Sequence, residues 1–193
     1  MSPRRRTHDR AGRRPIASIL VHELPPHDTL ITLLEEYFSS VHWFSLVIYE
    51  PRFRAKLQTI QDGHAETGEK PFLALLSTVL GMAAWYTAKK SSSMYGRPSK
   101  YWLEWSDKLI QNAELMIVDL MDQNCLPSVQ ALILLGSHYV YHGRPNLSFS
   151  LLGATIRAAQ AIGLHRELTG ASFDDAEERK RVWWTIYTWD RWD

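Results

Sequence analysis

From Asp28 onward, apolar residues recur every three or four positions, the spacing that gathers them on one face of an α-helix. Leu30, Leu33, Leu34, Tyr37, Phe38, Val41 and Phe44 form the first such stripe and predict a helix from Asp28 to about Leu46. Pro51 opens a shorter helix, PRFRAKLQTIQ, that ends near Gly63. After the polar link DGHAETGEK, Pro71 introduces a strongly apolar helix from Phe72 to about Ala88. Its small residues Gly81, Ala83 and Ala84 leave room for a neighbouring helix to come close. The stretch AKKSSSMYGRPS reads as a loop. Pro98 then begins a helix to about Asp122, with Trp102, Trp105, Leu109, Ala113, Met116, Ile117 and Leu120 on one side.

The last third gives three more segments with marked ends. Pro127 leads SVQALILLGSHYVY to Tyr141, because a proline at a helix's first position loses no hydrogen bond. The turn HGRPN interrupts, and a second helix runs from about Leu147 through LSFSLLGATIRAAQAIG, with Gly163 suited to the left-handed position beyond its end. Asp174 or Asp175 is placed to cap the third, DAEERKRVWWTIYTWDRW. No alternating run of strand length and no fixed-period repeat stands out. The pattern therefore predicts an all-α, bundle-like domain of about seven helices, and an α-solenoid would require a self-similarity that the chain lacks.

Composition narrows the class. With 45% hydrophobic residues and eight tryptophans in 193 residues, the chain can bury a substantial core. No uninterrupted apolar run reaches the roughly 18 residues of a membrane span, and the Arg-rich start lacks a signal-peptide core. Asn146-Leu147-Ser148 fits a glycosylation sequon but reads as part of a turn. Cys125 is the sole cysteine, so no internal disulfide forms.

Charge is uneven. Residues 1–14 carry Arg4, Arg5, Arg6, Arg10, Arg13 and Arg14 against Asp9, a net charge of +5. In a chain of total +1, that leaves −4 on the remainder. A mildly acidic body is no footprint for nucleic acid, so any phosphate attraction falls to the arm. The stretch 1–26 is expected to be a mobile basic arm. It can serve as a plain linker, a nuclear import signal, a phosphate contact or a mitochondrial transit peptide.

Several stretches carry a resemblance. Val129-Gln130-Ala131-Leu132, then Ala154-Thr155-Ile156-Arg157-Ala158-Ala159-Gln160-Ala161-Ile162-Gly163-Leu164-His165-Arg166, resemble the regulatory domain of fungal-specific transcription factors, also called the middle homology region. Glu178-Arg179-Lys180-Arg181-Val182-Trp183-Trp184 and Tyr187-Thr188-Trp189-Asp190-Arg191 resemble its next motif. Tyr37-Phe38, Val41-His42 and Pro51-Arg52-Phe53-Arg54 resemble its beginning. The resemblance implies a nuclear transcription regulator of the zinc binuclear-cluster class, with residues 27–193 as the front part of the regulatory domain, incomplete at its C-terminal end.

In that family, zinc and sequence-specific DNA binding reside in a six-cysteine module, which Cys125 alone cannot supply. No cofactor is expected in this chain. DNA would be reached through a separate module, and protein partners or a homodimer are the expected contacts. No membrane partner is expected, and a small-molecule effector is implied only by analogy with some family members. The rival reading is a stand-alone helical interaction protein that titrates full-length relatives through uncovered apolar faces.

Candidate chemistry is sparse. His138 and His142 share a helical face at metal-ligand spacing, but Tyr139 stands where HExxH has its glutamate. Ser137, His138 and Asp119 supply triad residue types without a nucleophile elbow. His165, just past Gly163, suits a helix C-terminus. The triplet Arg179-Lys180-Arg181 is a weak phosphate patch, since its members diverge around a helix. No catalytic or metal residue is assigned, and the chain is not expected to be an enzyme. Trp183, Ile186, Tyr187 and Asp190 share a spacing that predicts an inward face. A buried Asp190 would need a partner, for which Arg157 is the candidate, with Glu178 as that arginine's other candidate mate.

Overall fold

The computed structural model describes residues 12–90, 93–167, 170 and 172–191. It is all-α, as the periodicity predicts. Among the described residues, eight α-helices replace the expected seven or so: α1 (His27–Glu36), α2 (Glu50–Gln58), α3 (Lys70–Lys90), α4 (Ser99–Leu115), α5 (Ile117–Asp122), α6 (Leu126–Tyr141), α7 (Pro145–Ala161) and α8 (Phe173–Asp190). The extra helix arises where the expected helix to Asp122 breaks at Met116, giving α4 and α5.

Helix α3 is the axis of the fold. Its sequence is apolar nearly all round, which suits only a helix enclosed by others. Leu73, Ala74, Leu76, Val79, Leu80, Ala83 and Ala84 have no accessible surface. Thr78 and Thr87 satisfy their hydroxyls on the helix itself, donating to the carbonyls of Ala74 and Ala83. By length and hydropathy α3 could cross a membrane, contrary to the sequence expectation, yet 89% of its apolar window is buried by the rest of the chain. Its hydrophobicity is thus accounted for by the core.

Helix α4 runs back along α3. A Cβ on Gly81 would lie 2.9 Å from Ile110, and the Ser106 hydroxyl donates to the Gly81 carbonyl at 2.8 Å. The sequence expectation of a close approach at Gly81 is met here. The connection between the two helices is a small ribbon of β3 (Ser93–Met94) and β4 (Arg97–Pro98). It turns on Tyr95 and Gly96, both at positive φ, the conformation two-residue hairpin turns require. Helices α6 and α1 cover other faces of α3, and α7 and α8 form an outer layer on α6.

Residues 12–26 depart from the expected mobile arm. Strand β1 (Arg13–Pro15) pairs antiparallel with β2 (His64–Glu66). Ile16 and Leu20 reach the core. Asn112, buried on α4, exchanges two 2.8 Å hydrogen bonds with the His22 backbone. Two buried aliphatic side chains and a satisfied backbone ribbon were enough to order a stretch with no helical periodicity. The expectations for Arg4, Arg5, Arg6 and Arg10 lie outside the described residues.

The helix expected to reach Leu46 ends ten residues earlier. A π-turn (Tyr37–Val41) and a 3-10 turn (His42–Phe44) follow α1, and Leu46 takes a left-handed φ of 51°. The widened turn sends Tyr37 wholly inside while Phe38 meets Phe53 edge-on at 5.9 Å. Beneath it, Glu36 is 3% exposed and accepts from Lys90 (3.1 Å) and Tyr95 (2.8 Å). Burial works against its charge, but the hydrogen bonds from Tyr95, Ser40 and Lys90 outweigh it and hold its pKa below the ordinary carboxylate range.

Candidate regulatory junction

Helix α8 is capped by Ser172, whose hydroxyl accepts from the Asp175 N–H, rather than by Asp174 or Asp175. Val182 and Ile186 are buried, and Trp183 and Trp189 pack against the core beside them. One turn above Val182, Glu178 is 5% exposed. Its carboxylate accepts from Arg52 Nη1 (2.8 Å), Gln130 Nε2 (2.9 Å) and, weakly, the Tyr49 N–H (3.4 Å). Arg52 also bridges to Asp175 at 2.5 Å. Gln130, buried on α6, donates to the Val47 carbonyl at 2.7 Å. A carboxylate taken out of water is tolerable only when its oxygens are satisfied this fully. Thr185 adds a 3.1 Å bond to the Ser45 carbonyl. The 45–52 segment, α6 and α8 are thereby pinned at one node.

This geometry corrects the ion pair expected from the sequence. Arg157 is exposed on α7 and donates to Gln160 at 3.2 Å, one turn along its own helix. Asp190 is exposed too, so no buried charge needs a mate there. The inward face of α8 is set by Glu178, Val182 and Ile186, and Tyr187 lies outside it. The buried carboxylate on α8 is Glu178, and its cation is Arg52 rather than Arg157.

The basic triplet is taken up by the fold. Arg179 Nη2 donates to the Ile162 carbonyl at the end of α7 (2.7 Å), the role foreseen for His165. Arg181 pairs with Glu177 one turn back (3.1 Å), and Lys180 stands 3.9 Å from Glu167. Gly163 adopts φ 71° as expected, and the Leu164 N–H returns to the Ala159 carbonyl, burying Leu164. His165 lies 5.8 Å from Trp183 and accepts from Arg166 at 3.0 Å. Trp184 is 58% exposed and meets Tyr187 edge-on at 5.4 Å, with Arg191 over the Tyr187 ring.

At the far end of α6, an apolar cleft of about 200 Å³ opens between α3, α6 and the π-turn. The His138 and His142 rings are stacked 3.7 Å apart there, so their in-plane lone pairs run parallel instead of converging on one ion. His142 Nδ1 is also 2.7 Å from the His138 carbonyl. Burial first, then His142 and Arg144, lower the His138 pKa to about 4. Asp119 pairs with Lys70 (2.8 Å), and Ser137 donates to Ile133 within its helix, so the triad residue types are not assembled. Among the described residues no three His, Cys, Asp or Glu side chains gather as metal ligands.

A family model, the fungal specific transcription factor domain, matches residues 34–193. The chain belongs to this family. Within this fungal transcription factor domain, the motif pieces read from sequence meet in space. Arg52 comes from Pro51-Arg52-Phe53-Arg54, Gln130 from Val129-Gln130-Ala131-Leu132, and Glu178 from the acid-basic-tryptophan motif. An uncharacterized transcriptional regulatory protein of Schizosaccharomyces pombe is 27% identical over 87% of this chain and 21% of its own length. The ABC-transporter-regulating transcription factor of Aspergillus fumigatus is 30% identical over 87% of the chain and 18% of its own length. The lactose regulatory protein of Kluyveromyces lactis is 29% identical over 85% of the chain and 17% of its own length. The chain thus spans about a fifth of the length of these curated relatives. No solved structure matches it.

The partnership of Arg52 and Gln130 with Glu178 escaped the sequence reading. Both residues stood in the quoted motifs, but nothing in a linear pattern assigns a hydrogen-bond partner 126 or 48 positions away.

Proposed function

We propose that this chain is a control module of a fungal transcription regulator, acting in the nucleus and governing transcription through protein contacts. DNA reading, and the zinc it requires in the family, are assigned to a separate module. The observation that carries the reading is the Glu178 node. Three family motifs, remote in sequence, spend their polar side chains on holding α8 to α6 and the 45–52 segment. Motif side chains used in this way set the position of a helix. Trp184 and Tyr187 are offered outward on the same helix as a contact surface, and aromatic residues are enriched in such surfaces. Residues 27–193 form the module, with the β1 ribbon and Ile16 packed on it.

The basic stretch contributes less to phosphate binding than its composition implies. Arg13 is committed to Asp62 at 2.7 Å and to the Thr59 carbonyl at 2.8 Å. Arg14 is exposed beside it.

The test is a reporter driven by the chain fused to an unrelated DNA-binding module. Glu178→Ala and Arg52→Ala should each shift reporter output at unchanged protein abundance, and equal output from all three fusions would refute the control role. Purified chain should leave promoter DNA unshifted at about 150 mM salt. A sequence-specific shift would overturn the assignment of DNA reading elsewhere.

A further inference from the structure

The cleft at the end of α6 takes no part in the Glu178 node, and the inference drawn from it stands apart from the regulatory reading. One wall is a continuous aromatic array. Trp85 faces Tyr141 at 6.4 Å with the rings 29° from parallel, and the His142 ring lies 5.0 Å from Trp85 and 3.7 Å from His138. Met82 from α3 joins the lining, with Val41 and Trp43 from the π-turn and the 3-10 turn after it. No carboxylate, lysine or arginine lines the cleft.

Three properties select the occupant. The volume of about 200 Å³ exceeds the roughly 150 Å³ of an apolar cavity that takes benzene, so one ring or two fused rings fit. Flat aromatic walls favour a flat aromatic ligand, because offset and edge-on ring contacts add to area burial. The lining holds no carboxylate, lysine or arginine, and the half-buried His138 stays neutral well below neutral pH. An ionic ligand would therefore lose its hydration without gaining a partner. The ring nitrogens of His138 are at hand for a single hydrogen bond, among the polar groups of the lining residues. We infer that this cleft is a binding site for a small neutral aromatic molecule of one or two fused rings carrying one hydrogen-bonding group.

The probe that tests this is 2-naphthol, followed by saturation-transfer NMR and calorimetry on the intact chain. Binding should be detectable with a dissociation constant of the order of 100 μM, as expected for a ligand of this size. Tyr141 is half exposed, so its removal leaves the core standing. Tyr141→Ala should weaken binding by about fivefold, the worth of one ring contact, with the circular dichroism spectrum unchanged. Trp85→Leu should weaken it further. Naphthalene-2-sulfonate and 2-naphthylmethylammonium serve as charged analogues. Lys89 stands over the Trp85 ring at 5.8 Å, outside the lining, which makes the anion the sharper of the two comparisons. Both analogues should bind about tenfold more weakly than the neutral probe. The inference is overturned if 2-naphthol fails to bind at millimolar concentration. Affinity indifferent to both substitutions, or a charged analogue that binds more tightly than 2-naphthol, would overturn it equally.

Discussion

The α3–α4 pair and the α8 junction are held by different forces, and the contrast shows where this domain can yield. Around α3 the contacts are mostly apolar, and Gly81 lies so close to α4 that a Cβ there would stand 2.9 Å from the Ile110 side chain. Helix α8 buries only Val182, Ile186 and Glu178 fully and owes its register to one carboxylate shared by Arg52 and Gln130. Its seat can be loosened by disturbing a few hydrogen bonds, whereas α3 can move only if the whole core opens.

The largest expected effect lies in the apolar region. Leu76→Ala should cost about 3 kcal/mol of unfolding free energy, measured by urea denaturation, and should lower protection of α3 and α8 amides together. If α8 amides keep their wild-type exchange, α8 is uncoupled from the core around α3. Glu178→Ala comes next, at about 2 kcal/mol, because buried Gln130 loses an acceptor and Arg52 a partner. Here hydrogen exchange should rise in α8 well before α3, and uniform exchange would abolish the contrast.

A smaller, pH-linked effect belongs to the cleft. His138 is held neutral to about pH 4 in the folded chain, while the unfolded chain takes up its proton near pH 6.5. Between those values the unfolded state binds more protons, so stability falls as pH is lowered from about 6.5 to 4. His42, whose pKa burial also lowers, contributes in the same direction. Replacing His138 by Gln should remove of the order of 1 kcal/mol of that acid loss, allowing for solvent screening at a partly exposed ring. Identical stability–pH curves for the two proteins would contradict the half-buried, neutral ring. Smallest of all, Arg157→Ala and Asp190→Ala should each change stability by less than about 0.5 kcal/mol. A double-mutant cycle between them should show no coupling, and a clear coupling would restore the pair that the structure dissolves.

Much of the fold could be read in advance because helical spacing reports directly on burial. In the stripe from Trp102 to Leu120, Trp102, Leu109, Ala113, Met116 and Leu120 are buried, and Trp105 and Ile117 are half-buried against the core. Gly163 takes the left-handed turn its position suggested. What stayed hidden depended on partners far along the chain. The partnership of Glu178 with Arg52 spans 126 positions, and Asn112 reaches the His22 backbone across 90. Apolar spacing also cannot register a local change of helix type, so the π-turn after Glu36 was invisible in a stripe that continued through Val41 and Phe44. At α8 the spacing of three and four admitted two overlapping faces. Packing chose Val182 and Ile186, leaving Tyr187 and Asp190 outside.

The tight return of α4 along α3 has a kinetic corollary. Because the Tyr95–Gly96 hairpin brings these helices together over a short loop, their contacts form at small entropic cost, and topologies rich in such local pairings assemble fast. The two helices should therefore nucleate the chain as it collapses. The carboxylate of Glu178, whose mates wait on distant segments, should dock last.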